Sequence, residues 1–255
     1  MPHRLRPLGL THLGPTRFIG CVGTDNLGDS LVQDLEAEGV DVRVQRKQAT
    51  GTIVILIDQD GERSMLPNRG AATLLDDVPD EWLDGLELLH VSAYSFNGDP
   101  VGKTTIDVIR RARQKGILIS IDVASTGMLA QYGVERFLDL MADLRPDFII
   151  GNKSETEFLE LVVDGQPGSR ATRLPSTIVV TKAGADPTIV HRPSDERIVV
   201  PVPIVQEIRD LTGAGDAFAA GFLSAFLSTH DLQNACVGGH AAAALVLASP
   251  GASVG

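Results

Sequence analysis

The segment Asp210-Leu211-Thr212-Gly213-Ala214-Gly215-Asp216-Ala217-Phe218 carries the chemistry most legible in this chain. A Gly-Ala-Gly turn opens directly into an apolar helical pattern. Glycines let backbone N–H groups converge on one point, and a helix start adds the positive end of its dipole, which together make an anion hole. Asp216 falls in the first helical turn, beside the place where an anion would sit. An acid next to an anion hole suits phosphoryl transfer to an alcohol. An alcohol hydroxyl and an aspartic acid differ by roughly 12 pKa units, so full deprotonation before attack would cost about 16 kcal/mol. The carboxylate therefore orients the hydroxyl and takes its proton late, as the phosphoryl group loosens from its leaving group. Meanwhile the amides of Gly213, Ala214 and Gly215 stabilise the charge on the moving group. The plainer reading of the same residues is a Thr-capped helix whose glycines permit close packing.

Two further segments bear on this chemistry. Phe148-Ile149-Ile150-Gly151-Asn152-Lys153-Ser154-Glu155 is a strand followed by Asn-x-x-Glu, which also reads as a capping box with Asn152 at the N-cap and Glu155 at the third helical position. Gly98-Asp99-Pro100-Val101-Gly102-Lys103-Thr104 mimics a phosphate-binding P-loop but is one residue short of Gly-x-x-x-x-Gly-Lys-Thr. Asp99 as N-cap with Pro100 at the first helical position explains that segment as a helix start. Ile117 to Asp122 would serve the P-loop reading as a Walker B strand.

Asp-x-Thr-Gly-Ala-Gly-Asp-Ala-Phe, followed by Ala219-Ala220-Gly221-Phe222, resembles the C-terminal signature of the ribokinase-like (PfkB-type) carbohydrate kinases. The resemblance implies a three-layer α/β/α domain with a mainly parallel sheet and a small β lid. It implies ATP-dependent phosphorylation of a sugar or sugar-acid hydroxyl, with Asp216 as base and the Gly213–Gly215 amides as anion hole. Asn152 would then face the nucleotide phosphates and Glu155 would organise Mg²⁺ through water. Val179 to Asp186 resembles the family's nucleotide loop, which implies cofactor contacts from Thr181, Lys182, Gly184 and Asp186, although Ala183 and Asp186 stand at the usual glycine positions. His240 corresponds to an adenine-side residue. Carbonyls near Asp210, Thr212 and Gly251 correspond to a monovalent-cation (K⁺) site. Gly51 to Leu66 resembles the lid, and Arg69, just beyond it, is the residue expected to address the substrate. Asp122 ends a central strand near the site but lacks the arginine partner expected within Asp122-Val123-Ala124-Ser125.

Relatives of this kind begin with a strand carrying a sugar-binding Asp and then a Gly-Gly-Asn segment. Nothing in Met1 to Arg17 matches either, and the resemblance starts near Leu13-Gly14. The expectation is a single kinase domain over 1–255, truncated at its N-terminus or read from a misassigned start, with the lid at about 43–68. The alternatives are an impaired remnant that binds nucleotide only, and a P-loop NTPase.

The elements that must position these residues follow from periodicity and punctuation. Phe18 to Val22 reads as a strand, with a helix from about Ser30 to Glu38. Thr52 to Asp58 and Arg63 to Leu66 flank Asp60-Gly61 as a hairpin. Strands at Leu88 to Ala93, Ile117 to Ile121 and Phe148 to Ile150 alternate with helices at Asp99 to Gln114, Val134 to Met141 and Lys153 to Leu161. That alternation argues for a parallel sheet with crossover helices. Ile178 to Val200 is β-rich, and helices at about Gly215 to Ser228 and Leu232 to Leu247 close the chain.

The 255 residues carry 22 Lys and Arg against 33 Asp and Glu, a formal charge of −11 that would repel a nucleic acid backbone. The small-molecule sugar substrate is the expected partner, with a homodimer through the lid implied by the resemblance. Cys21 and Cys236 make no disulfide framework or metal spacing and read as core thiols. No apolar run follows the basic Met1-Pro2-His3-Arg4-Leu5-Arg6, and Ala235 to Ala248 is too short to span a bilayer. A cytoplasmic enzyme away from membranes is the expectation.

Overall fold

The computed structural model describes residues 13–57, 63–194 and 196–249, which fall into two compact units. The smaller comprises Pro15–Asp84 and Ser95–Asp107. In it, β1 (Arg17–Val22) leads through α1 (Asn26–Ala37) to β2 (Asp41–Arg46), and the two strands pair in parallel, Arg17 opposite Asp41. Asp25 caps α1 by accepting the Gly28 N–H at 2.9 Å. The helix therefore starts four residues before the expected Ser30, with Gly28 inside its first turn rather than in a preceding loop. Gly28 is required there: a Cβ would lie 2.3 Å from the Gly23 carbonyl oxygen.

β3 (Thr52–Ile57) and β4 (Arg63–Asn68) form an antiparallel two-stranded sheet, Thr52 opposite Asn68. The expected lid began near residue 43, but β2 pairs with β1 and not with the hairpin, so the hairpin sheet covers Thr52–Asn68. The turn at Asp60-Gly61 lies outside the described residues.

The larger unit holds β5 (Leu88–Ser92), β6 (Leu118–Asp122), β7 (Phe148–Asn152), β10 (Ile178–Ala183), β11 (Asp186–His191) and β12 (Arg197–Val200) in the order β12-β11-β10-β7-β6-β5. β5, β6, β7 and β10 are parallel, β11 pairs antiparallel with β10, and β12 pairs antiparallel with β11. Between them run α2 (Val101–Gln114), of which Val101–Asp107 counts with the smaller unit, α3 (Thr126–Tyr132), α4 (Val134–Leu144), α5 (Lys153–Phe158) and the short hairpin β8 (Val162–Val163) and β9 (Gln166–Pro167). The chain closes with α6 (Ala214–Thr229) and α7 (Leu232–Leu247).

Strand side chains alternate faces, and the register sorts them. Phe148, Ile150, Val180 and Val190 pack with Phe218, Phe222, Ala235 and Cys236 of α6 and α7. Phe148 meets Phe222 edge-on at 5.8 Å, a geometry that stabilises beyond what the buried area alone contributes. Deleting such a ring costs about 3–5 kcal/mol. The alternate residues Ile119, Ile121 and Ile149 are fully buried too, so the sheet is covered on both faces. This is the expected α/β/α arrangement. The Ala/Gly richness of the last two helices has a local cause: a Cβ on Gly221 would lie 2.4 Å from the Gly238 carbonyl oxygen, so the two helices touch at their backbones.

Cys21 and Cys236 are buried free thiols, and burial pushes Cys236 up to about 12. No helix among the described residues is long and apolar enough to cross a membrane.

Candidate active site

At the carboxyl ends of the parallel strands, the face that packs on α6 turns from apolar to charged. Asp122 ends β6 opposite Ile150, and Lys182 lies on β10 opposite Asn152, so both lie on the Ile150 and Val180 face. Lys182 Nζ donates to Asp122 Oδ2 at 3.0 Å, with the two side chains 16% and 13% exposed. The other Asp122 oxygen accepts the Ala124 N–H at 2.9 Å. Ala124 takes a left-handed conformation, φ 67°, which costs energy for a residue with a Cβ and here serves to bring its amide under Asp122.

Lys182 Nζ also reaches the Gly215 carbonyl at 3.5 Å, in the first turn of α6. Gly213 is the N-cap of that helix at φ 79°, a conformation that favours glycine, and no side chain caps the helix. The Ala214 N–H closes onto the Leu211 carbonyl at 3.3 Å, so of the three amides expected to form the anion hole, this one is already engaged in the turn. Asp216 follows in the first turn. Its carboxyl opens to solvent, yet protein atoms crowd one side. That desolvation raises its pKa from the ordinary value, with the Asp122 carboxylate adding and Lys182 opposing.

Asn152 and Glu155 form a complete capping box on α5. Glu155 is 5% exposed, and burial raises its pKa, opposed by the Asn152 N–H and raised further by Asp122. Its charge therefore belongs to the same neighbourhood as Asp122 and Lys182.

The remaining expected residues are dispersed. Thr181 alternates with Lys182 and so takes the opposite face, buried, its hydroxyl 3.3 Å from that of Thr156. Gly184, at φ 62°, and Asp186 form the exposed β10–β11 turn. His240 is buried on α7: Nε2 lies 2.8 Å from the Thr188 hydroxyl and its ring 5.5 Å from that of Phe218. Asp210 Oδ1 accepts from the Thr212 N–H at 2.9 Å and from its hydroxyl at 2.8 Å, an Asx turn that leads the chain into Gly213. Gly251 lies outside the described residues. In the smaller unit, Arg69 donates from Nη1 to the Asn97 carbonyl at 2.7 Å.

The P-loop reading fails on geometry. The Gly102 N–H is spent on the Gly98 carbonyl at 2.8 Å and the Thr104 N–H on that of Pro100 at 3.0 Å, so neither amide faces a phosphate. Lys103 pairs at the surface with Asp99 at 2.8 Å. Where Pro100 was expected as the first helical residue, α2 begins one residue later, at Val101.

Sequence reasoning missed the Lys182–Asp122 pair. Each is the single charge at the end of an apolar strand, a signal in principle. Their juxtaposition depends on the order β6-β7-β10, which no local pattern encodes.

A family model for the pfkB family carbohydrate kinases matches residues 8–255. The chain belongs to this family. Among curated relatives, this pfkB family chain is 28% identical over 232 residues to an uncharacterized sugar kinase of Archaeoglobus fulgidus, covering 89% of each chain. It is 27% identical to an ATP-dependent ribose-1-phosphate kinase of Halopiger xanaduensis, covering 92% of this chain and 75% of that one. Of solved structures, an adenosine kinase from Sinorhizobium meliloti superposes with a TM-score of 0.84 at 26% identity, over 96% of this chain and 76% of that one. The fold is ribokinase-like, and the protein is an ATP-dependent kinase of the carbohydrate and nucleoside kinase class.

Proposed function

We propose that the chain transfers the γ-phosphoryl group of ATP to a hydroxyl of a sugar or sugar acid, with Asp216 as the base. The observation that carries this reading is the α6 start: a long helix with no side-chain cap, opened by a left-handed glycine, with a carboxyl of raised pKa in its first turn. The acceptor hydroxyl oxygen bonds to the γ-phosphorus as the bond to the ADP oxygen breaks, and the proton passes to the Asp216 carboxylate. A raised pKa favours that late transfer, since the carboxylate is a stronger base than a free aspartate. The Gly213 and Gly215 amides, without Ala214, whose N–H is engaged in the turn, stabilise charge on the moving group. Glu155, whose carboxyl lies in the same charged neighbourhood, would hold Mg²⁺ through water, and that ion would neutralise the nucleotide's phosphate charge.

Relatives include adenosine kinases and a 5-dehydro-2-deoxygluconokinase, so the acceptor panel spans ribose 1-phosphate, sugar acids, hexoses and adenosine. ADP release from ATP and Mg²⁺ is measured across that panel for the wild type and Asp216→Asn. The proposal expects one acceptor class to stimulate release, and Asp216→Asn to lower kcat about 10²–10⁴-fold. Acceptor-dependent turnover that survives Asp216→Asn removes Asp216 from the role. A folded protein that binds ATP and turns over with no acceptor supports the nucleotide-binding alternative.

A further inference from the structure

The charged pair beneath α6 has no part in the proton transfer just described, yet it is built with care. Asp122 is held at both oxygens, by the Ala124 N–H at 2.9 Å and by Lys182 at 3.0 Å. A residue other than glycine is placed in the left-handed region to provide that amide. Gly151 on the neighbouring strand must stay small, because a Cβ there would lie 2.5 Å from Val123, inside the same turn. The outcome of these constraints is the position of one ammonium group. Lys182 Nζ lies 3.5 Å from the Gly215 carbonyl, and a Cβ on Gly215 would sit 3.3 Å from it. The lysine therefore lies against the turn whose N–H groups lack a side-chain cap.

We infer that Asp122 is a positioning residue: it holds Lys182 against the first turn of α6, from which the lysine is handed to the phosphate groups when nucleotide binds. The inference rests on the proposed site at α6. A lysine paired to a carboxylate is neutralised and kept from closing over Asp216. An incoming polyphosphate offers more negative charge than one carboxylate and competes for the same ammonium. Asp122 thus sets both the resting place of the cation and how readily it transfers.

The two members act on Asp216 with opposite sign. Asp122 raises its pKa and Lys182 lowers it. Glu155 on α5 responds to both charges, and so does His90 on β5, whose Nδ1 lies 3.0 Å from the Ser120 hydroxyl. Removing the Asp122 charge leaves Lys182 free to face Asp216, so the acid limb of the kcat/KM profile moves to lower pH. Removing the Lys182 charge moves it to higher pH.

The test compares Asp122→Asn, Lys182→Met and Lys182→Arg in the full chain. ADP binding is read by calorimetry, and the pH dependence of kcat/KM is read with the acceptor that supports turnover. Asp122→Asn keeps an acceptor for the Ala124 N–H and removes the competitor for the lysine. It is expected to bind ADP about three- to fivefold more tightly, the scale of a partly exposed ion pair. Lys182→Met is expected to bind ADP more weakly by a similar factor, and Lys182→Arg to restore most of the affinity. The acid limbs of Asp122→Asn and Lys182→Met should separate in opposite directions by about half a unit to one unit. Variants that weaken ADP binding together, or that leave both affinity and acid limb unmoved, overturn the inference. Asp216→Asn with full turnover overturns the proposed base instead, and the ADP affinities still judge the pair.

Discussion

Asn152 and Glu155 cap each other across the first turn of α5: Asn152 Oδ1 accepts the Glu155 N–H at 2.9 Å, and Glu155 Oε2 accepts the Asn152 N–H at 2.7 Å. A carboxylate has about four lone-pair sites, so serving the box does not exhaust it. The capping box therefore leaves room for the phosphate-side role proposed above, and charge separates the two readings. Glutamine completes a capping box as well as glutamate does. The folded pKa of Glu155 is raised by burial, so its ionised form is a cost to the fold, one that is absent at low pH and appears as pH rises through the folded value. Glu155→Gln should unfold at the same temperature as wild type or slightly above it at neutral pH, yet lose about 10–100-fold in kcat, the range for groups that support a metal through an intermediate. Glu155→Ala should also lose the cap, at about 1 kcal/mol. Wild-type kcat in Glu155→Gln would reduce the motif to a helix cap.

A second prediction concerns His240, whose resemblance-based role lies on the adenine side. Its Nε2 is spent on the Thr188 hydroxyl in the interior, and Phe218 covers the ring. Thr188→Val removes that partner with little change in shape and strands a buried nitrogen, a loss of about 1–3 kcal/mol. Thermal unfolding should report it as a drop of several degrees, while the KM for ATP stays within about twofold. A large rise in that KM at unchanged stability would return His240 to the nucleotide.

The parts of the fold read correctly from sequence are those set by local chemistry. The start of α6 falls within one residue because Gly213-Ala214-Gly215 is both a turn and a helix entry, and α7 spans the expected Leu232–Leu247, with Asp231 capping it by accepting the Asn234 N–H at 2.7 Å. The Phe148 to Ile150 run was recognisable because a strand buried on both faces has no polar residue to break it. What escaped depends on distant partners. The start of α1 at Asn26 rather than Ser30 is set by Asp25, which Thr50, far along the chain, holds by donating its N–H to Asp25 Oδ2 at 2.8 Å. β2 was assigned to the lid because its pairing with β1 is not written in either strand. The same reason hid Lys182 from Asp122, sixty positions apart in sequence, which are brought together only by the sheet order.

The hairpin sheet makes a third prediction. Ile53, Val54, Ile55, Leu56 and Leu66 are each about half exposed or more, so both of its faces are apolar and open. A short hairpin of this composition is an association surface unless something covers it. We expect a second copy of the chain to cover one face, giving a homodimer by light scattering at micromolar concentration. Val54 and Leu66 are cross-strand partners, so Leu66→Lys places a charge in the middle of one face. It should yield a monomer, while a charge at Ile55, on the other face, should leave the dimer intact. A wild type that stays monomeric as concentration rises would mean that the hairpin is not an association surface.

The last prediction is a pH dependence with a defined sign. Asp25 accepts from the Gly28 N–H, the Thr50 N–H and the Thr50 hydroxyl, and these bonds hold its carboxyl down at about 2, with the Thr50 hydroxyl the largest cause. In the unfolded chain the same group titrates near its ordinary value of about 3.9. A depressed folded pKa means that the contribution to stability is complete above the unfolded value and is lost as pH falls from about 4 towards 2. Asp25→Asn keeps one acceptor oxygen for the cap but cannot ionise or serve Thr50 on both sides. The urea midpoint of this variant should therefore lie below that of wild type at pH 6, and the gap should narrow at pH 4 and narrow further at pH 3. A gap that stays constant over that range would mean that Asp25 acts through the shape of the β1–α1 turn alone. In that case Thr50→Val, which removes both the hydroxyl donor to Asp25 and the acceptor of the Gly23 N–H, should lose stability by an amount that does not change with pH. If the charge carries the effect, Thr50→Val should raise the Asp25 pKa and shift the acid-sensitive range of the wild type upward.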